Sequence, residues 1–158
     1  MPRSKLHNFL LLPALTLILF SSCEKSANHP VPKVAVYFQI DLQSDPEFIR
    51  LSATGNSQRI YAATLGLFNL GYDNNGLLIY NAGSNEFYVF DLTCPYDIPE
   101  SIAIESETTS AIATCPECGT EYVLPSWGTP TVDGPGTWPL QKYRAYYNPN
   151  TGILQVSN

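Results

Sequence analysis

Gly76-Leu77-Leu78-Ile79-Tyr80, then Asn81-Ala82-Gly83-Ser84-Asn85, then Glu86-Phe87-Tyr88-Val89-Phe90-Asp91 read as a strand, a turn and a strand, the signature of a β-hairpin. The same grammar recurs on both sides of it. Upstream, Val34-Ala35-Val36-Tyr37-Phe38-Gln39-Ile40 alternates, with Val34, Val36, Phe38 and Ile40 on one face of a first strand. Asp45 to Leu51, opened by Pro46, suits a helical turn. Downstream, Ile102-Ala103-Ile104 and Ala111-Ile112-Ala113 form a second predicted hairpin, and Glu121-Tyr122-Val123-Leu124 a further strand. Tyr143 to Tyr147 and Ile153 to Val156, joined by Asn148-Pro149-Asn150-Thr151-Gly152, close the chain as a third hairpin. No stretch sustains a helical period. The expectation is an all-β domain, a small antiparallel sandwich or open barrel.

Very little in this domain can do chemistry. Cys94-Pro95-Tyr96 and Cys115-Pro116-Glu117-Cys118-Gly119 place three cysteines on two loops. The two histidines are His7, in the N-terminal leader, and His29, on the segment just after it, so the predicted body has none. Triads that need an imidazole, His-ligated zinc hydrolysis and His proton shuttles are excluded on that ground. No phosphate-binding, dinucleotide or nucleophile-elbow motif is present either, and the chain is expected not to be an enzyme.

Arg3 and Lys5, the mostly apolar run Phe9 to Phe20, and Leu19-Phe20-Ser21-Ser22-Cys23 have the form of an export signal ending on a cysteine. The run is interrupted by Pro13 and is shorter than the roughly 18 to 20 residues of a membrane span. This segment resembles a bacterial lipoprotein signal, and its Ser-Ser-Cys ending resembles those of Bacteroidetes lipoproteins. The resemblance implies a leader over residues 1–22, a lipidated Cys23, a tether to residue 33 and a body over 34–158. It also implies membrane attachment through Cys23 in the cell envelope, periplasmic or outer-membrane. Loss of Arg3 and Lys5 leaves six bases against 14 acids, a formal charge of −8, which argues against a nucleic-acid partner. Lys142 and Arg144 are the one close basic pair.

Taken in order from Gly76 to Asn158, the elements resemble a Rieske domain. A hairpin ends in Phe87-Tyr88-Val89-Phe90-Asp91, a first ligand loop begins Cys94-Pro95, and a second is Cys115-Pro116-Glu117-Cys118-Gly119. A loop carrying Gly134 and Pro135 then covers the site, and Pro139-Leu140-Gln141-Lys142-Tyr143 leads into the closing hairpin. The family holds a [2Fe-2S] cluster on C-x-H and C-x-x-H, two Cys on one iron and two His on the other. Cys94 and Cys115 stand at the two Cys positions, whereas Tyr96 and Cys118 stand where the histidines belong, with an 18-residue spacer. The regular cluster is therefore excluded by composition.

Four states of the Cys94, Cys115, Cys118 and Tyr96 constellation remain open at this point. It is metal-free with a disulfide, Cys94 to Cys115 (about 3 kcal/mol in the chain-entropy picture) or Cys115 to Cys118. It binds zinc, with Tyr96, a nearby carboxylate or water as fourth ligand. It keeps a [2Fe-2S] cluster on three cysteines and hands electrons to an envelope redox partner. Or the thiols are packed and reduced. The leading expectation is an envelope lipoprotein with a degenerate Rieske-like domain whose cysteine loops serve structurally. Trp127, Trp138, Tyr143, Tyr146 and Tyr147 read as packing residues, in the core or on the sheet surface, with Tyr146 on the strand face opposite Tyr143 and Tyr147.

Overall fold

The structure, a computed structural model, describes residues 28–158. The leader, Cys23 and the first part of the tether lie outside the described residues. Among the described residues the strands are β1 (Tyr37–Asp41), β2 (Ser57–Ile60), β3 (Leu77–Gly83), β4 (Glu86–Asp91), β5 (Ile112–Thr114), β6 (Glu121–Val123), β7 (Thr129–Pro130), β8 (Lys142–Asn148) and β9 (Ile153–Ser157). All pairings are antiparallel. A six-stranded sheet runs β1-β9-β8-β4-β3-β2, and a three-stranded sheet runs β5-β6-β7. The helical elements among the described residues are short 3-10 turns, and none is long and apolar enough to cross a membrane. The all-β expectation holds.

The β3-β4 hairpin organises everything else because both of its faces are buried. Leu77, Ile79, Phe87 and Val89 point into one core with Phe38, Ile40, Leu51, Leu154 and Val156. Leu78, Tyr80 and Phe90 point into a second core with Leu92, Ile104, Tyr122, Leu124 and two of the cysteines. A strand buried on both sides needs no polar alternation, which is why Leu77 to Tyr80 is continuously apolar. At about 25 cal/mol per Å² of apolar surface, side chains of this size each contribute roughly 1.5–3 kcal/mol when fully buried. Two cores, divided by one hairpin, give the cysteine loops a rigid wall to stand on.

β1 follows the predicted alternation, with Phe38 and Ile40 inward and paired to Val156 and Leu154. The turn around Asp45 forms, its side chain accepting the Glu47 N–H, and leads into a 3-10 turn over Ile49–Ser52. The second predicted hairpin is slighter than expected. Its first arm is reduced to single bridges, Thr93 with Ala103 and Glu105 with Thr114. The physical reason is length: three alternating residues on each side leave little ladder to form.

The segment just before residue 34 is in contact with the body, and it brings a histidine to it. Val31 is fully buried, and His29 donates from Nε2 to the Pro139 carbonyl at 2.8 Å while its Nδ1 accepts the Val31 N–H at 3.1 Å. The imidazole also stands edge-on to Trp138, 5.8 Å between ring centres. The end of the tether is thus part of the fold, pinned 110 residues away in sequence.

Candidate metal centre

Each cysteine loop is closed by backbone hydrogen bonds before any metal is considered. Cys94 leaves β4 through Leu92 and Thr93, and its N–H donates to the Ile102 carbonyl at 2.8 Å. The Ile104 N–H returns to the Leu92 carbonyl at 2.7 Å, so residues 94–102 are cinched at the base. The second loop follows β5. Cys115 N–H donates to Thr120 and Gly119 N–H to Cys115, at 2.9 and 3.0 Å, a tight knuckle whose Gly119 has φ +72°. Glycine takes that conformation at no steric cost.

The knuckles bring four ligand atoms together. One from each of Cys94, Asp97, Cys115 and Cys118 lies within 4.8 Å of all the others. Cys94 Sγ is 3.8 Å from Cys118 Sγ, and Cys115 Sγ donates to Asp97 Oδ2 at 3.1 Å. Tetrahedral ligation at Zn–S bonds of ~2.3 Å spaces the sulfurs by ~3.8 Å. Ligands of a two-iron cluster fall into two pairs held apart by the iron–iron axis, so four atoms mutually this close suit one ion better than two. With no imidazole in the set, the residues present do not fit a [2Fe-2S] cluster held by two cysteines and two histidines.

Cys94 and Cys115 are fully buried and Cys118 partly so. Burial pushes the Cys94 thiol up and the Cys115 thiol far above its ordinary range. For Cys94 the opposing influences are the Tyr122 hydroxyl and then the amides of Asp97 and Tyr96; for Cys115 the amide of Cys118 is the first of them. These dipoles favour thiolates, the form a metal requires, and burial alone disfavours them. The three described cysteines, Cys94, Cys115 and Cys118, are free thiols in the structure, with Cys94 Sγ and Cys118 Sγ facing each other across the two loops.

Sequence reasoning placed Tyr96 in the set; the carboxylate that stands with the three thiols is that of Asp97. Tyr96 is 54% exposed, while its neighbours Pro95 and Asp97 are buried. The turn after Pro95 points Asp97 inward, so a carboxylate takes the fourth place. Glu117 is exposed and stays outside. Two further residues were missed. Tyr122, fully buried on β6, has its hydroxyl 3.3 Å from Cys94 Sγ, and Thr120 Oγ1 is 3.2 Å from Cys118 Sγ. Their signal was alternation: Cys118, Thr120, Tyr122 and Leu124 are two apart and share the inward face.

The loop at Gly134 and Pro135 packs against Thr120 of this knuckle. Gly136 N–H donates to Thr120 Oγ1 at 3.0 Å, and a Cβ on Gly134 would stand 2.6 Å from Thr120 Cα. Gly134 also has φ +96°. Gly134→Ala is therefore expected to destabilise the fold by about 2–4 kcal/mol, because backbone cannot yield as a flexible side chain does. Chemical denaturation measures it, and a thiol reagent should label Cys118 faster in the variant; an unchanged midpoint would contradict the close packing.

No family model matches the chain, and no curated protein matches it. Among solved structures, the ferredoxin of carbazole 1,9a-dioxygenase from Nocardioides aromaticivorans IC177 aligns at 13% identity and a TM-score of 0.46, over 79% of this chain and 98% of that one. A putative NADH-dependent nitrite reductase small subunit from Mycobacterium tuberculosis aligns at 13% identity and 0.43, over 80% of this chain and 97% of that one.

Proposed function

We propose that this is a lipid-anchored, non-catalytic cell-envelope protein with a Rieske-like domain, in which Cys94, Asp97, Cys115 and Cys118 hold a single zinc ion as a structural staple. One observation carries the metal reading: four ligand atoms of three thiols and a carboxylate, all within 4.8 Å, on loops already closed by their own backbone. Thiolate-rich tetrahedral sets select zinc or iron, and a closed four-ligand shell is the structural kind. The order of hairpin, two cysteine loops, covering loop and closing hairpin supports the Rieske-like scaffold. The anchor rests on the leader and Cys23, and the negative charge supports the absence of a nucleic-acid partner.

Metal analysis and an absorption spectrum on protein purified without oxygen test this, with free thiols counted on an aerobic sample. One zinc per chain and no colour is the expected result. Two irons with visible bands would replace the staple with a redox carrier serving an envelope partner. No metal and one free thiol in the aerobic sample would leave a disulfide instead. Labelling with a fatty-acid analogue, lost in Cys23→Ala, tests the anchor separately.

A further inference from the structure

A cavity of about 810 Å³ lies along β4, β8 and β9, with Lys33 and Trp127 at its walls. No residue of the metal centre lines it. That volume is within the range of small-molecule sites, and its walls include six aromatic side chains. Its charge is opposite to that of the chain. Lys33, Lys142 and Arg144 line it, three of the five described bases, against Glu86 alone of the 13 described acids. Two of these cations sit over rings: Lys142 Nζ is 4.5 Å from the centre of Trp127, and Lys33 Nζ 5.8 Å from that of Tyr143. Ring faces orient an ammonium group while leaving its charge uncancelled.

The opening has a structural origin. β4 pairs with β8 at Val89 with Tyr143 and Phe90 with Lys142, and the Asp91 N–H extends the contact to the Gln141 carbonyl, but no pair forms on the other side, toward Tyr88 and Arg144. Lys142, Arg144 and Tyr146 alternate along the outward face of β8, and Tyr146 is 67% exposed. Tyr88 stacks on Trp127 at 4.2 Å and fixes the wall across from them. Tyr143 and Tyr147 pack into or against the first core, whereas Tyr146, on the other strand face, stands exposed.

We infer that this cleft binds an acidic oligosaccharide, with Lys142 and Arg144 meeting its carboxylates and the tyrosine rings its sugar faces. Aromatic bodies with hydroxyl tips suit a ligand whose surface alternates C–H and O–H, and suit a fatty chain poorly. Cations without neutralising carboxylates suit a ligand with one negative charge per unit. The volume accommodates more than a lone anion.

The test is a titration of the full chain with tetragalacturonate, read by tryptophan fluorescence and calorimetry at low salt. The comparisons are its neutral methyl ester and benzoate, an aryl carboxylate without a sugar. Binding should weaken about tenfold for the ester and about tenfold in the Lys142→Ala, Arg144→Ala double variant, as expected when charge-assisted contacts are lost. Tyr146→Ala should weaken both saccharides. All substituted side chains are exposed, and unchanged metal content and melting would verify that the variants fold. Absence of saturable tetragalacturonate binding, equal affinity in the double variant, or benzoate binding as tightly as the tetrasaccharide would each overturn the assignment. None of these outcomes depends on which metal the cysteines hold.

Discussion

Cys115→Ser is expected to lose the bound ion on dialysis and to lower the melting temperature by about 10 °C or more, the largest effect of any single substitution at the centre. Cys115 is fully buried, and its sulfur already faces Asp97 Oδ2. A serine oxygen is shorter and remains protonated, so it neither reaches the ion nor neutralises it. The free energy of binding a structural metal is folding free energy, on the order of 10 kcal/mol in small zinc peptides. Here the two cores carry part of the fold, and the loss should be correspondingly smaller. The discriminating measurement is a melt with and without chelator. Wild type should fall to the level of the variant, and the variant should not move. A wild-type protein indifferent to chelator would remove the staple from the account.

Asp91→Ala should cost about 3–6 kcal/mol without touching a metal ligand. Asp91 is fully buried at the end of β4, and it is the acceptor for three donors. Tyr72 N–H and Tyr143 OH reach Oδ2 at 2.8 and 3.1 Å, and Thr93 N–H reaches Oδ1 at 2.9 Å. Each buried donor left without a partner costs about 1–3 kcal/mol. The carboxyl also brings a pH signature. Burial, the largest influence, raises its folded pKa above the ordinary carboxylate range, although the hydrogen bonds from Thr93, Tyr72 and Tyr143 oppose that shift. A raised acid binds protons more readily in the folded state, so its contribution is fully present below the unfolded pKa of about 3.9 and is lost as pH rises through the folded value. The stability difference between wild type and Asp91→Asn should therefore widen as pH falls from 7 toward 4. Denaturant melts of both proteins across that range measure it, and a difference that narrows on acidification would contradict the assignment.

What the linear sequence revealed, and what it concealed, follows from where each residue finds its partners. The β3-β4 hairpin was legible because its apolar run, turn and second run are local, and the closing hairpin was legible for the same reason. β2 was not, since Ser57-Gln58-Arg59-Ile60 has one apolar residue and is a strand only because β3 offers it an edge. The three cysteines stood out by chemistry. Nothing in the pattern separates Asp97 from Glu117 or Tyr96, and the choice among them is made by a turn whose direction no periodicity encodes. His29 looked like part of a polar tether because its partners, the Pro139 carbonyl and the Trp138 ring, lie at the other end of the chain. Tyr122 and Thr120 were accessible in principle through alternation from Cys118, a reading that requires treating the knuckle and the strand as one extended segment.

The docking of His29 has a geometric corollary for a protein anchored as proposed. Six residue steps separate Cys23 from His29 and span at most about 21 Å even when fully drawn out. Pro139, on the stretch that covers the cysteine knuckle, is thereby leashed close above the bilayer. The body can swivel on that leash, yet it cannot lift this end far from the lipid surface. With the anchor as proposed, a partner for this end would have to arrive within the layer just above the headgroups.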